Sequence, residues 1–116
     1  MGKLEDIFQL QKSFQQLLGN PIPIYSIDFI NIHNIELIKN QILALVDETM
    51  EALREIPWKP WKIKNIIDVP KFRVELIDIF HFLINLFIFA GMDASKVWSL
   101  FLEKNRINVK RQENGY

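Results

Sequence analysis

The sequence predicts an all-α fold: a compact four-helix core, one domain over residues 1–116, assembled as a dimer or higher oligomer. Three observations carry this. The chain has only four Gly and five Pro, and the internal ones cluster near residues 19–23, 57–60, 70 and 91. Between these breaks the apolar residues recur at three- and four-residue steps, the period of an amphipathic helix. The third long segment, around residues 80–89, is apolar nearly all round. A helix of that kind is buried on several sides, and three neighbouring helices cannot cover every side of it.

The elements follow in order. A first helix is expected over residues 4–18, where Leu4, Ile7 or Phe8, Leu10 or Gln11, Phe14, Leu17 and Leu18 keep the helical step. Residues 22–32 mix β-branched and aromatic side chains and read as an extended or irregular connector. A second helix is expected from Asn34, a good N-cap type, to Glu55 or Ile56. Its apolar stripe is Leu37, Ile38, Ile42, Leu45, Val46, Thr49, Leu53 and Ile56. The third should run from Pro70, favoured in a first turn because its missing N–H has no partner there anyway, to Ala90. The fourth should run from Asp93 or Ser95, either of them a capping residue, to Gln112, with cations gathered toward its C-terminal end.

Composition narrows the function. Apolar residues make up 49% and charged residues 24%, values of a folded domain rather than a disordered chain. Lys and Arg number 14 against 14 Asp and Glu, so the formal charge is zero. A general nucleic-acid or anionic-membrane binder would carry basic excess. There is no Cys, which excludes disulfides and thiol nucleophiles, and two His alone cannot build a zinc site. The third helix is no convincing membrane span, since Glu75, Asp78, His81 and Asn85 interrupt it. The first twenty residues lack a signal-peptide core, and Asp6 stands where a myristoylation signal wants Ser or Thr. A cytoplasmic protein is expected.

Four acids stand out. Glu48 and Glu51 lie three apart on the second helix, and Glu75 and Asp78 three apart on the third. Residues at i and i+3 share a helix face. Glu75 and Asp78 enter the most apolar stretch of the chain, where a carboxylate is costly unless paired or bound to a metal. Packed side by side, the two helices would bring four carboxylates together. Mutual repulsion would then raise their pKa values unless a divalent cation neutralised them. Hard oxygen ligands suit Mg²⁺ or Mn²⁺. The competing account is a solvated face. It is strongest for Glu48 and Glu51, and for Glu55, which would pair with a nearby cation.

These residues resemble a known family. The ExxE of Glu48 to Glu51 followed by the ExxD of Glu75 to Asp78 is similar to the all-α nucleoside triphosphate pyrophosphatases. Within that group the chain looks most like the dimeric dUTPases. Three stretches carry the closer match: the WKPWK string of Trp58 to Lys62, the His81-Phe82 pair after the ExxD, and the closing run from Lys104 to Tyr116, which resembles a KNxxNxxRQxxGY pattern. The Leu10-Gln11 pair resembles the family's LQ segment.

The resemblance implies roles residue by residue. Glu48, Glu51, Glu75 and Asp78 would hold Mg²⁺, or Mn²⁺, with Glu48 orienting the attacking water. Lys104, Asn108, Arg111 and Tyr116 would contact the phosphates. Gln11 would read the uracil edge, and Trp61 would line the base pocket. Trp58 is expected as a core anchor and His81 as a buried, hydrogen-bonded histidine rather than a base. The implied activity is dUTP hydrolysis to dUMP and pyrophosphate, in a homodimer or homotetramer with no nucleic-acid or membrane partner. Longer relatives carry extra helices before the terminal motif. The compact form here implies poorer rejection of dCTP or dTTP and leaves two alternatives: a MazG-like enzyme of broader or different base preference, and a non-catalytic helical dimerisation module.

Overall fold

A computed structural model describes residues 2–20, 32–62 and 66–115. It contains four α-helices in chain order: α1 Lys3–Leu17, α2 Ile32–Arg54, α3 Val69–Phe89 and α4 Ala94–Glu113. No strand occurs among the described residues. The fold is all-α, as the periodicity predicts. The connector expected over residues 22–32 lies outside the described residues except for Ile32, which already belongs to α2. Asn34 therefore sits inside the first turn of α2 and not at its cap.

The caps follow from the sequence elsewhere. Asp68 opens α3 by accepting from the Lys71 amide at 3.1 Å, with Pro70 in the first turn. Asp93 opens α4 by accepting from the Lys96 amide at 2.8 Å. Each satisfies one of the amide donors that a helix start leaves unpaired. Between α3 and α4 the chain reverses its local hydrogen bonding. Gly91 has φ 76°, its amide bonds Ile88 O at 3.0 Å, and the Met92 amide reaches Phe87 O at 2.9 Å. A side chain at Gly91 would be strained in that left-handed conformation, so glycine is required there. The axis of α4 departs from that of α3 by 102°.

α3 is the central element. It packs against α2 along most of its length and against α1 on another side, while α4 leans on α1. Phe8, Ile84, Ile88 and Ala94 form the buried cluster, with Leu4, Phe80, Phe87 and Val97 packed around it. Phe8 stacks on Phe87 with ring centroids 6.4 Å apart. Full burial of Ile84 and Phe89 contributes about 1.5–3 kcal/mol apiece.

One expectation holds in part: of the alternatives offered on α1, Phe8 and Gln11 are the ones buried. The apolar stripe of α1 points largely outward: Leu10 is 73% and Leu17 81% exposed, and Ile7 and Phe14 are exposed with them. The helix instead turns Phe8, Gln11 and Gln15 inward. Phe8, with Leu4 beside it, reaches the apolar cluster, and the two glutamines find polar partners on α3 and on Asn20. Among the described residues, no single helix is long and apolar enough to cross a membrane.

Candidate metal centre

α2 and α3 lie side by side, and this pairing builds the site. The two i,i+3 acid pairs face each other across the helix contact. Glu48, Glu51 and Glu75 each offer a carboxylate oxygen within 4.8 Å of the others. Asp78 acts electrostatically on both Glu48 and Glu75. All four acids are half-buried.

The charges are held at a cost. Burial pushes the Glu48 carboxyl above its ordinary range, and repulsion from Glu51 and Asp78 pushes it further. Glu75 is raised in the same way, by burial first and then by Glu51 and Asp78. Oε2 of Glu48 and Oε2 of Glu75 are buried and have no hydrogen-bond partner. A buried anionic oxygen without a partner is unfavourable unless a cation meets it. These acids fit a hard divalent ion: the donors are all oxygen, converge on one point and have unpartnered atoms there. Glu55 takes no part in the converging group, because Lys71 of α3 binds it at 3.1 Å. Its partner is thus across the helix pair.

Next to the acids on α3 lies a chain of polar side chains joining three helices. Gln11 Nε2 donates to Asn85 Oδ1 at 2.6 Å, and Asn85 Nδ2 donates to Gln41 Oε1 at 3.1 Å. His81 Nδ1 lies 3.0 Å from Gln11 Oε1. Oε1 can only accept, so His81 donates in this arrangement. Gln11 is 8% and Asn85 4% exposed, whereas His81 sits at the exposed end. His81 is hydrogen-bonded as expected, but not buried.

Other sequence-derived residues stand on the segment after α2 and on α4. Trp61 is 70% exposed, in edge contact with Trp58 at 6.2 Å between centroids. Trp58 is itself exposed, with the Lys59 ammonium 5.4 Å above its ring, so it is not a core anchor. The string is too short and too polar to bury there. Trp58 lines an open groove of about 230 Å³ with Met50, Arg54, Lys59 and Lys62. Lys104, Asn108 and Arg111 are exposed on α4. At a rise of ~1.5 Å per residue and a 102° turn, they stand roughly 20–30 Å from the acids of the same chain. Tyr116 lies outside the described residues.

Sequence reasoning missed two residues here, Gln41 and Asn85. Asn85 carried a signal, as a polar residue inside the apolar run of α3. Gln41 carried none.

The chain is similar to several known proteins. A family model described as dUTPase matches residues 3–97. The dCTP pyrophosphatase of Enterobacteria phage T4 is 38% identical over 71 residues, covering 51% of this chain and 42% of that protein. The dCTP pyrophosphatase of Enterobacteria phage LZ5 is 34% identical over 103 residues, covering 68% of this chain and 60% of its own. A DNA replication protein of phage T4 is 36% identical over 67 residues, 46% of this chain and 17% of its own. The chain thus spans less than two thirds of each of these relatives. No solved structure matches it. The family match contains all four acids, Gln11 and Trp61, and stops short of Lys104, Asn108 and Arg111. The chain belongs to the dUTPase family.

Proposed function

We propose, taking that membership as the premise, that the chain is a divalent-cation-dependent nucleoside triphosphate pyrophosphatase. Its preferred substrate is dUTP, and its products are dUMP and pyrophosphate. The observation that carries this is the convergence of Glu48, Glu51 and Glu75, with two buried carboxylate oxygens lacking partners. Such a site repels a polyanion unless it is neutralised. Mg²⁺, when bound, supplies that neutralisation and polarises the phosphoryl oxygens.

The chain's own residues divide the work. Glu51, Glu75 and Asp78 hold the ion together with Glu48. Glu48 also orients the attacking water and takes its proton, a role its raised proton affinity suits. The polar chain beside the acids lies on α3 one to two turns further on. Gln11 reads the base there, and Trp61 closes over it.

Lys104, Asn108, Arg111 and Tyr116 meet the phosphates from a second copy of the chain. Their distance from the acids of their own chain supports this, and so does the surface. The chain exposes 8975 Å², whereas a compact monomer of its mass exposes about 6,600 Å². The surplus is of the size an obligate homodimer or homotetramer covers. A nucleotide substrate accords with a cytoplasmic, single-domain enzyme that needs no nucleic-acid or membrane partner.

A second reading is favoured by the two relatives named dCTP pyrophosphatase. It makes this a pyrimidine pyrophosphatase with dCTP as the better substrate. Pyrophosphate release over a panel of nucleotides, with and without Mg²⁺, tests both. The expected result is Mg²⁺-dependent release, fastest from dUTP. Release undiminished in excess chelator would overturn the metal site, and a faster rate on dCTP would select the second reading.

A further inference from the structure

We propose that the Lys71–Glu55 ion pair withholds a fifth carboxylate from the metal centre. Lys71 is a positioning residue: by holding Glu55 aside, it keeps a divalent cation at the four acids open to water and phosphate. This deepens the reading above and rests on a cation at Glu48, Glu51, Glu75 and Asp78.

The register of the two helices puts Glu55 next in line. Along the α2–α3 contact the partners step in opposite directions: Gln41 meets Asn85, Glu51 meets Glu75, and Glu55 meets Lys71. Glu55 comes one turn after Glu51 and Lys71 one turn before Glu75, so both stand on the faces that carry the acids. The charge of Glu55 is felt at the centre. Burial raises the Glu75 carboxyl first, and Glu55 is among the acids that raise it further.

Yet this carboxylate does not join the others. Lys71 Nζ holds its Oε1 at 3.1 Å. The Glu55 side chain is only 16% exposed, so water alone compensates its charge poorly. Lys71 is largely exposed and stays charged: the Glu55 carboxylate holds the ammonium above its ordinary range, and Glu75 and Asp68 add to this. Without the ammonium, a mostly covered carboxylate would stand beside the acid cluster, and a bound divalent cation would draw it in.

The pair thereby preserves open coordination. A hard ion such as Mg²⁺ takes about six oxygen ligands and keeps several of them as water. The reaction needs some of those places for the attacking water and for phosphoryl oxygens. A fifth carboxylate would fill one of them and add a negative charge. The ion would be held more tightly and would be less able to accept substrate.

The test is Mn²⁺ binding to the full chain without nucleotide, read by calorimetry and by the water-proton relaxation that the bound ion causes. Lys71→Met should bind Mn²⁺ on the order of tenfold more tightly, the effect of one more carboxylate released next to a divalent ion. Its bound Mn²⁺ should carry fewer exchanging waters and relax protons less, and kcat on dUTP should fall with it. Adding Glu55→Gln should return the relaxation to the wild-type value. The exchange of Glu55→Lys with Lys71→Glu rebuilds the pair in reverse and should keep both affinity and relaxation. Melts in chelator identify a variant that fails to fold; Lys71→Ala, a good helix former at an exposed position, then takes the place of Lys71→Met. A change of affinity with unchanged relaxation would show that Lys71 acts only as a remote charge, and would overturn the proposal. So would a relaxation that stays low after Glu55→Gln is added. Wild-type binding that Lys71→Met leaves unaltered removes this proposal alone. No Mn²⁺ binding in the wild type, or binding that Glu48→Gln does not weaken, removes the metal centre and this proposal together.

Discussion

Glu48 and Glu75 bind protons more tightly in the folded chain than in the unfolded one, because burial and neighbouring acids raise them above 4.5. The folded state therefore takes up protons in the window above that value, and its stability falls as pH rises through it. Melting of the chelated protein should occur at a lower temperature at pH 7 than near pH 5 through these groups. Mg²⁺ should restore the loss at pH 7 and do little at pH 4.5, where protons occupy the same oxygens. Scanning fluorimetry with and without MgCl₂ checks this, and a rise of equal size at both pH values would refute it. Glu48→Gln removes one repelling charge, so in chelator it should melt above the wild type. Its turnover should drop by about 10²–10⁴-fold, the usual weight of a general base, with nucleotide binding less affected. A change confined to KM would show that Glu48 does not handle the water.

At the scale of elements, the caps hold the site in register. Asp93 fixes the start of α4 right after the Gly91 turn. Asp93→Ala should cost about 1 kcal/mol, read from urea unfolding, with the m-value unchanged. Helix period and capping chemistry are local properties, so three of the four helix starts and the i,i+3 acid pairs were legible in the chain. The start of α2 was not, because Asn34 is a good cap by type and the helix had already begun at Ile32. The inward face of α1 was legible only in part. Apolar spacing left Ile7 or Phe8 and Leu10 or Gln11 open and added Phe14 and Leu17, while rotation about the α1 axis was decided by Phe8 stacking on Phe87 and by Gln11 meeting Asn85. Gln41 and Asn85 lie 44 residues apart, and only the α2–α3 packing puts one opposite the other.

For the whole molecule, the radius of gyration is 17.5 Å, against about 13 Å for a compact chain of this length. The exposed rows on α1 and α2 and the stacked Trp98–Phe101 pair on α4 account for much of the apolar surface left outside. Light scattering at low micromolar concentration should give a dimer or tetramer, and a clean monomer would refute the assembly. Mixed assemblies test whether α4 serves a neighbour. Glu48→Gln and Arg111→Ala should each be nearly inactive alone. Co-refolded in equal amounts, they should regain about a quarter of wild-type activity, since half of random dimers are mixed and each carries one intact site. Two inactive variants that stay inactive when mixed would return α4 to its own chain.

The outward row of Leu10, Phe14 and Leu17 has a consequence in temperature. An assembly closed by aliphatic and aromatic contact draws on a force that weakens as water is chilled, unlike one closed by ion pairs. Cold storage of dilute protein should therefore split it reversibly, and rewarming should bring the activity back with second-order kinetics in chain concentration. First-order recovery would mean that the chill had altered the fold of single chains rather than their association.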